Sequence, residues 1–179
     1  KINKILDYIE NVLEVPRDEY SGMSACPFAK KERENNNLYI DILDKDNGFL
    51  ILMDKFHESD KDNAIFINEI EIPDTDTRKY QAFLNKELIK NAYINHKALC
   101  INPEDELEVD GLNVRSQSPY FLILINNQKE INKAHRNIMK TSYFDKMSDK
   151  YKKYLGIWKY LKNLMVEEHY LFIGGDDLK

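Results

Sequence analysis

Apolar residues recur at helical spacing from Ile2 to Glu14: Ile2, Ile5, Leu6, Ile9, Val12 and Leu13. Steps of three and four residues place them on one face, which predicts an amphipathic helix over that stretch, with Pro16 just beyond its end. After the turn-prone Ser21-Gly22, Pro27 stands where a second, short helix would begin, because its missing N–H and fixed φ suit the first helical position. Cys26 is then the expected N-cap. Leu38–Leu43 alternates Leu38, Ile40 and Ile42 with Tyr39, Asp41 and Leu43, the period of a strand. Asn47-Gly48 supports two readings, a hairpin turn into 49–54 or the approach to a helix capped by Asp46. Phe49, Leu52, Met53 and Phe56 would share one face of that helix, and the Leu and Met content favours it.

Ala64–Ile72 reads as a strand stopped by Pro73, and a helix follows with Asp76 or Thr77 as cap and Tyr80, Phe83, Leu84, Leu88 and Ala92 at helical spacing. Ala98–Ile101 is a short strand ended by Pro103. Phe121–Ile125 is apolar throughout, as expected of a central strand. From Gln128 the pattern is helical: behind a Ser148 cap, Tyr151, Tyr154, Leu155, Trp158, Leu161, Leu164 and Met165 form a broad apolar stripe, and Gly174–Asp177 reads as a frayed tail. This order predicts an α/β (α+β) sandwich: a four-stranded mixed sheet, helices over it and a helical C-terminal third.

Composition narrows the class. A chain of 179 residues with 42% hydrophobic and 32% charged positions is the size of one domain, expected over 1–179. A net charge of -5 argues against a nucleic-acid partner, since backbone affinity comes from Lys and Arg releasing counterions. No run approaches the ~20 apolar residues of a membrane span, and the opening residues lack the pattern of a signal peptide. Two cysteines without compact spacing fit a reducing compartment, so the expected location is cytoplasmic. Lys outnumbers Arg, and Asn and Ile abound, the bias of an AT-rich genome, bacterial or phage.

Two motifs carry chemistry. In Cys26-Pro27-Phe28-Ala29-Lys30 a thiol at a helix start meets the positive end of the helix dipole, with Lys30, Lys31 and Arg33 adding to the field; a lowered pKa would make Cys26 a catalytic nucleophile, redox centre or metal ligand. The opposing reading is a small buried hydrophobe wedged by Pro27 and Phe28. Cys-Pro also occurs at haem-responsive sites, but without a second ligand the dipeptide names no cofactor. Cys100, in a strand, reads as core. In Arg115-Ser116-Gln117-Ser118-Pro119-Tyr120 a guanidinium fork and the hydroxyls of Ser116, Ser118 and Tyr120 gather on one turn, suited to a small anionic ligand. Against this stands pairing of Arg115 with Asp105, Glu106 or Asp110. His57, His96, His135 and His169 show no ligand spacing, and the acidic run from His57 to Asp62 lacks the pattern of a calcium loop.

With both motifs in view, the chain resembles a family of uncharacterised bacterial proteins, a domain of unknown function. Its members read Leu-Cys-Pro-Phe-Ala after an N-terminal helix and Asn-Arg-Ser-Pro-Tyr-Pro before a strand ending His-Leu-Leu-Arg-Glu. Ala25-Cys26-Pro27-Phe28-Ala29 matches the first motif; Arg115 and Ser118-Pro119-Tyr120 match the second, with Ser116-Gln117 inserted. The resemblance runs from Ile2 to Ile138. Asn102-Pro103 stands where the family has His-Pro, and Leu122-Ile123-Leu124-Ile125-Asn126 replaces its His-Leu-Leu-Arg-Glu. The resemblance implies a pocket and no particular reaction.

Three functions fit this sequence. The first is a small enzyme using Cys26 as nucleophile and Arg115 to orient an anionic substrate, the two motifs facing one pocket. The second is a ligand-binding or regulatory domain with the same residues and no turnover. The third is a viral or accessory protein-interaction module presenting Tyr151, Tyr154, Tyr160 and Tyr170, residues that helix packing explains more simply.

Overall fold

Every side chain from Asn63 to Asn68 is buried, so this strand must be covered on both faces, and the other elements are arranged to do so. The computed structural model describes residues 1–44, 49–69, 74–103, 108–109, 112–113 and 118–154. The chain falls into two compact units, Lys1–Lys146 and Met147–Lys179.

In the first unit, α1 (Ile2–Tyr8) continues into a π turn over Ile9–Leu13. Next come the two-residue strands β1 (Pro16–Arg17) and β2 (Met23–Ser24), α2 (Ala29–Glu34), β3 (Leu38–Leu43), α3 (Phe49–Ser59) and β4 (Asn63–Asn68). After these follow α4 (Asp74–Lys90), β5 (His96–Ile101), the short pair β6 (Glu108–Val109) and β7 (Leu112–Asn113), β8 (Leu122–Asn127) and α5 (Gln128–Ile138). In the second unit α6 spans Asp149–Tyr154; the remainder of the predicted apolar stripe, from Leu155, lies outside the described residues.

The main sheet has four strands in the order β3-β4-β8-β5. The chain is therefore of the mixed α/β class. β3 and β4 run parallel, and β8 lies between β4 and β5, antiparallel to both. Alternation along the strands divides the core by face. Ala64, Phe66, Ile123 and Ile125 join Leu52, Met53 and Phe56 of α3 and Leu84 and Leu88 of α4. Ile65, Ile67 and Leu122 meet Ile5, Tyr8 and Ile9 on the opposite face.

Several boundaries differ from the periodicity. The first helix widens at Ile9, whose carbonyl accepts the Glu14 N–H across five residues (2.9 Å), so it is α-helical only to Tyr8. β4 ends at Asn68, and 70–72 lie outside the described residues. α4 begins at Asp74, before either expected cap. Thr77 is instead buried within the helix, and its hydroxyl accepts from Asn102 Nδ2 at 3.4 Å. The α4 end is a Schellman arrangement, with Tyr93 N–H to Leu88 C=O (2.9 Å) and Ala92 N–H to Ile89 C=O (3.1 Å). It places Ala92 at φ 66°, where a Cβ is disfavoured.

The sheet edges carry side-chain partners. On β5, Asn85 of α4 accepts the Ala98 N–H (2.9 Å) and donates to the Ala98 carbonyl (3.0 Å), as a neighbouring strand would, and Gln81 accepts the Cys100 N–H (2.9 Å). On β3, Asp41 accepts the Ile42 N–H (2.7 Å) while Lys55 donates to the Ile42 carbonyl (3.1 Å) and to Asp41 (2.6 Å). Burial pushes the Asp41 carboxyl up, but the Lys55 ammonium, the Tyr39 hydroxyl and the Ile42 N–H outweigh it and hold the group below its ordinary range.

Two substitutions test these joints. Asn85→Leu strands an N–H and a carbonyl on the buried Ala98 and is expected to cost about 1–3 kcal/mol, read from the urea midpoint; a loss below ~0.5 kcal/mol would mean that water replaces the amide. Ala92→Gly relieves the left-handed strain and is expected to add about 1 kcal/mol, seen as a melting temperature higher by about 2–4 °C.

Candidate functional site

β4 begins with a polar residue that has almost no access to water. Asn63 is 5% exposed, and an amide buried to this degree must be hydrogen-bonded. Its Nδ2 donates to Glu32 of α2 (3.0 Å), and its Oδ1 accepts the Asn127 N–H (3.2 Å). Asn127 in turn caps α5, its Oδ1 accepting the Lys129 N–H (3.0 Å) while its Nδ2 donates to Asp62 (3.2 Å). One buried amide thus ties both α2 and the start of α5 to the same end of the sheet.

Between those two helices and the sheet lies a cavity of about 350 Å³, within the range of small-molecule sites. Leu38, Ile65 and Leu124 of the sheet, Ile9 and Leu13 of the π turn, Phe28 and Ala29, and Ile131 and Ala134 of α5 give it apolar walls. Cys26 and Asn63 are among the lining residues, with Lys31, Glu32, Glu130 and Lys133. Lys31, Glu130 and Lys133 are exposed and stand towards the mouth, whereas Glu32 is half-buried with its carboxylate on the Asn63 amide.

The Cys26 segment is held by bonds to distant parts of the chain. The Cys26 N–H donates to the Leu13 carbonyl (3.0 Å), at the end of the π turn. Tyr143, buried and stacked on Tyr20 at 5.2 Å, donates its hydroxyl to the Ala25 carbonyl (2.8 Å). Helix α2 starts at Ala29, three residues past the expected cap, because Cys26 to Phe28 form the preceding turn, closed by Ala29 N–H to the Cys26 carbonyl (3.1 Å).

The thiol nonetheless faces the N–H groups of Ala29 and Phe28, which favour thiolate. Burial outweighs them, Glu14 adds to it, and the pKa lies above the ordinary thiol value. The basic field expected from the sequence is largely spent. Arg33 forms a two-point pair with Glu14 (2.9 and 2.8 Å) and a further one with Glu10 (2.9 Å), and Lys30 stands 3.8 Å from Glu34. Cys100 is buried on the opposite face of the sheet, its thiol pushed up to about 12 by burial.

Of the second motif, Arg115 and Ser116 lie outside the described residues. Ser118 is buried, and its hydroxyl is turned into its own turn, donating to the Tyr120 carbonyl (2.7 Å) and accepting the Tyr120 N–H (3.4 Å). Tyr120 packs against the α1 face of the core. Both precede β8, just before which the Phe121 carbonyl accepts the Asn68 N–H (2.9 Å), whereas the Cys26 cavity is lined by Leu124 and Asn126, further along the strand. A strand of this length separates the two ends by roughly 17 Å. Neither Ser118 nor Tyr120 lines the Cys26 cavity.

The cavity wall on α5 went unpredicted, although Ile131, Ala134, His135 and Ile138 carry the spacing that would find it. Asn63 gave no signal beyond being a polar residue at a strand start. Among the described residues no helix is long and apolar enough to cross a membrane. No family model, no curated protein and no solved structure matches this chain.

The thiol supplies a direct test. Alkylation of Cys26 by iodoacetamide, followed peptide by peptide by mass spectrometry across pH, is expected to have its midpoint above the usual value of about 8.5. Rapid alkylation at pH 7 would show that the Ala29 and Phe28 N–H groups prevail over burial.

Proposed function

We propose that this protein is a small-ligand-binding domain whose ligand occupies the cavity between α2, α5 and the sheet. The observation that carries the reading is the cavity itself: its volume of about 350 Å³ suits a small molecule, its walls are mostly apolar, and the buried Asn63 amide among its polar groups is fixed by hydrogen bonds. Asn63 and Tyr143 hold the surrounding elements through long-range hydrogen bonds, so the site is preformed and binding costs little ordering. The Cys-Pro-Phe-Ala motif that carries the family resemblance contributes one wall.

Catalysis through a Cys26 thiolate is the weaker reading, since burial favours the neutral thiol and a neutral thiol is a poor nucleophile. The thiol serves here as a small apolar wall group.

The test is to fill the cavity. Ala134 lines it from α5 and is half-buried, so Ala134→Phe places a ring in the binding space from an element that can shift outward. N-phenyl-1-naphthylamine is expected to bind the wild-type chain with a rise in fluorescence. The variant should bind it at least about tenfold more weakly, a loss of ~1.4 kcal/mol, while melting within a few degrees of wild type. Equal binding by the two proteins would place the ligand elsewhere.

A further inference from the structure

The cavity's charges and hydrogen-bonding groups restrict what it can hold, and this inference rests on the ligand-binding reading above. Four ionisable side chains line it, Lys31 and Lys133 against Glu32 and Glu130; Lys31, Lys133 and Glu130 are exposed, whereas the half-buried Glu32 reaches in to the Asn63 amide. Positive and negative charge are equal there, so the site offers an anion no net attraction, nor a cation. Its other polar groups are the amides of Asn63, Asn126 and Asn137 and the Cys26 thiol. The thiol is kept protonated by its burial, and an amide carries no charge, so neither provides a counterion. An anion drawn in among apolar walls would lose its hydration with no inward cation to replace it, and for a cation the one inward carboxylate, Glu32, already accepts from Asn63.

The Asn63 amide adds a direction. Its Oδ1 accepts from the Asn127 N–H, and its Nδ2 gives one hydrogen to Glu32. An amide nitrogen has two hydrogens, and a second donor at the cavity wall suits an acceptor oxygen on whatever occupies the space.

We infer that the cavity takes a neutral, largely apolar molecule bearing one hydroxyl or carbonyl oxygen, which accepts a hydrogen bond from Asn63. The anionic ligand suggested by the Arg115 turn does not fit this cavity.

Four probes sharing one ring system separate the terms: 1-naphthol, 1-naphthoate, 1-naphthylmethylammonium and 1-methylnaphthalene, titrated at pH 7 into the full chain and into the Ala134→Phe variant by calorimetry. 1-Naphthol is expected to bind at least about tenfold more tightly than either ion, because the ions are desolvated without compensation. It is also expected to bind more tightly than 1-methylnaphthalene, which lacks the acceptor, and to lose affinity in the variant. Tighter binding of an ion would overturn the inference while leaving the ligand-binding reading intact. Equal affinity for 1-methylnaphthalene would overturn the role of Asn63. Binding of no probe, or binding that the variant leaves unchanged, would overturn the inference and count against the cavity as the ligand site.

Discussion

The arrangement depends on the burial of Asn63. A strand as deeply covered as β4 must begin somewhere, and here its first side chain is an amide shut away from water. Such a group is tolerated only when its donors and acceptors are met. The partners that meet it, Glu32 and the Asn127 backbone, belong to α2 and to the cap of α5. Satisfying one amide therefore sets the spacing of two helices that otherwise make little use of one another, and the cavity is the space left between them.

The same economy explains the state of Cys26. The segment around it is positioned by Leu13 and Tyr143 rather than by helix capping, and Arg33, one of the cations that follow it in the chain, is already engaged by two carboxylates. Local sequence places a thiol beside N–H groups and basic residues. Tertiary pairing removes most of the field and burial supplies the rest, so a residue that reads as reactive along the chain is neutral in the fold.

What could be read along the chain was what depends on near neighbours. The alternation of β3, the apolar run of β8 and the spacing of Phe49, Leu52, Met53 and Phe56 state their elements directly, and the four-stranded mixed sheet follows from their order. Helix ends were less legible: the widening at Ile9 and the early start of α4 at Asp74 leave no mark in apolar spacing. The site was half legible. The Cys26 motif stood out, but its partnership with α5 depends on β8 delivering Ile131 and Ala134 across the sheet, a relation among segments about a hundred residues apart. Of the second motif, Ser118 and Tyr120 precede β8 and do not line the cavity, while Arg115 and Ser116 lie outside the described residues.

The side chains along β5 have a consequence for how the chain meets its own copies. An edge strand with open N–H and carbonyl groups can recruit another strand and so begin an aggregate. Asn85 occupies the outward N–H and carbonyl of Ala98 and Gln81 the Cys100 N–H, and both lie on the helix made just before β5. During synthesis the blocking amides leave the ribosome ahead of the strand they block. By the time β5 reaches its place, the Ala98 N–H and carbonyl and the Cys100 N–H already have their partners, and a second nascent chain finds those rungs of the ladder taken.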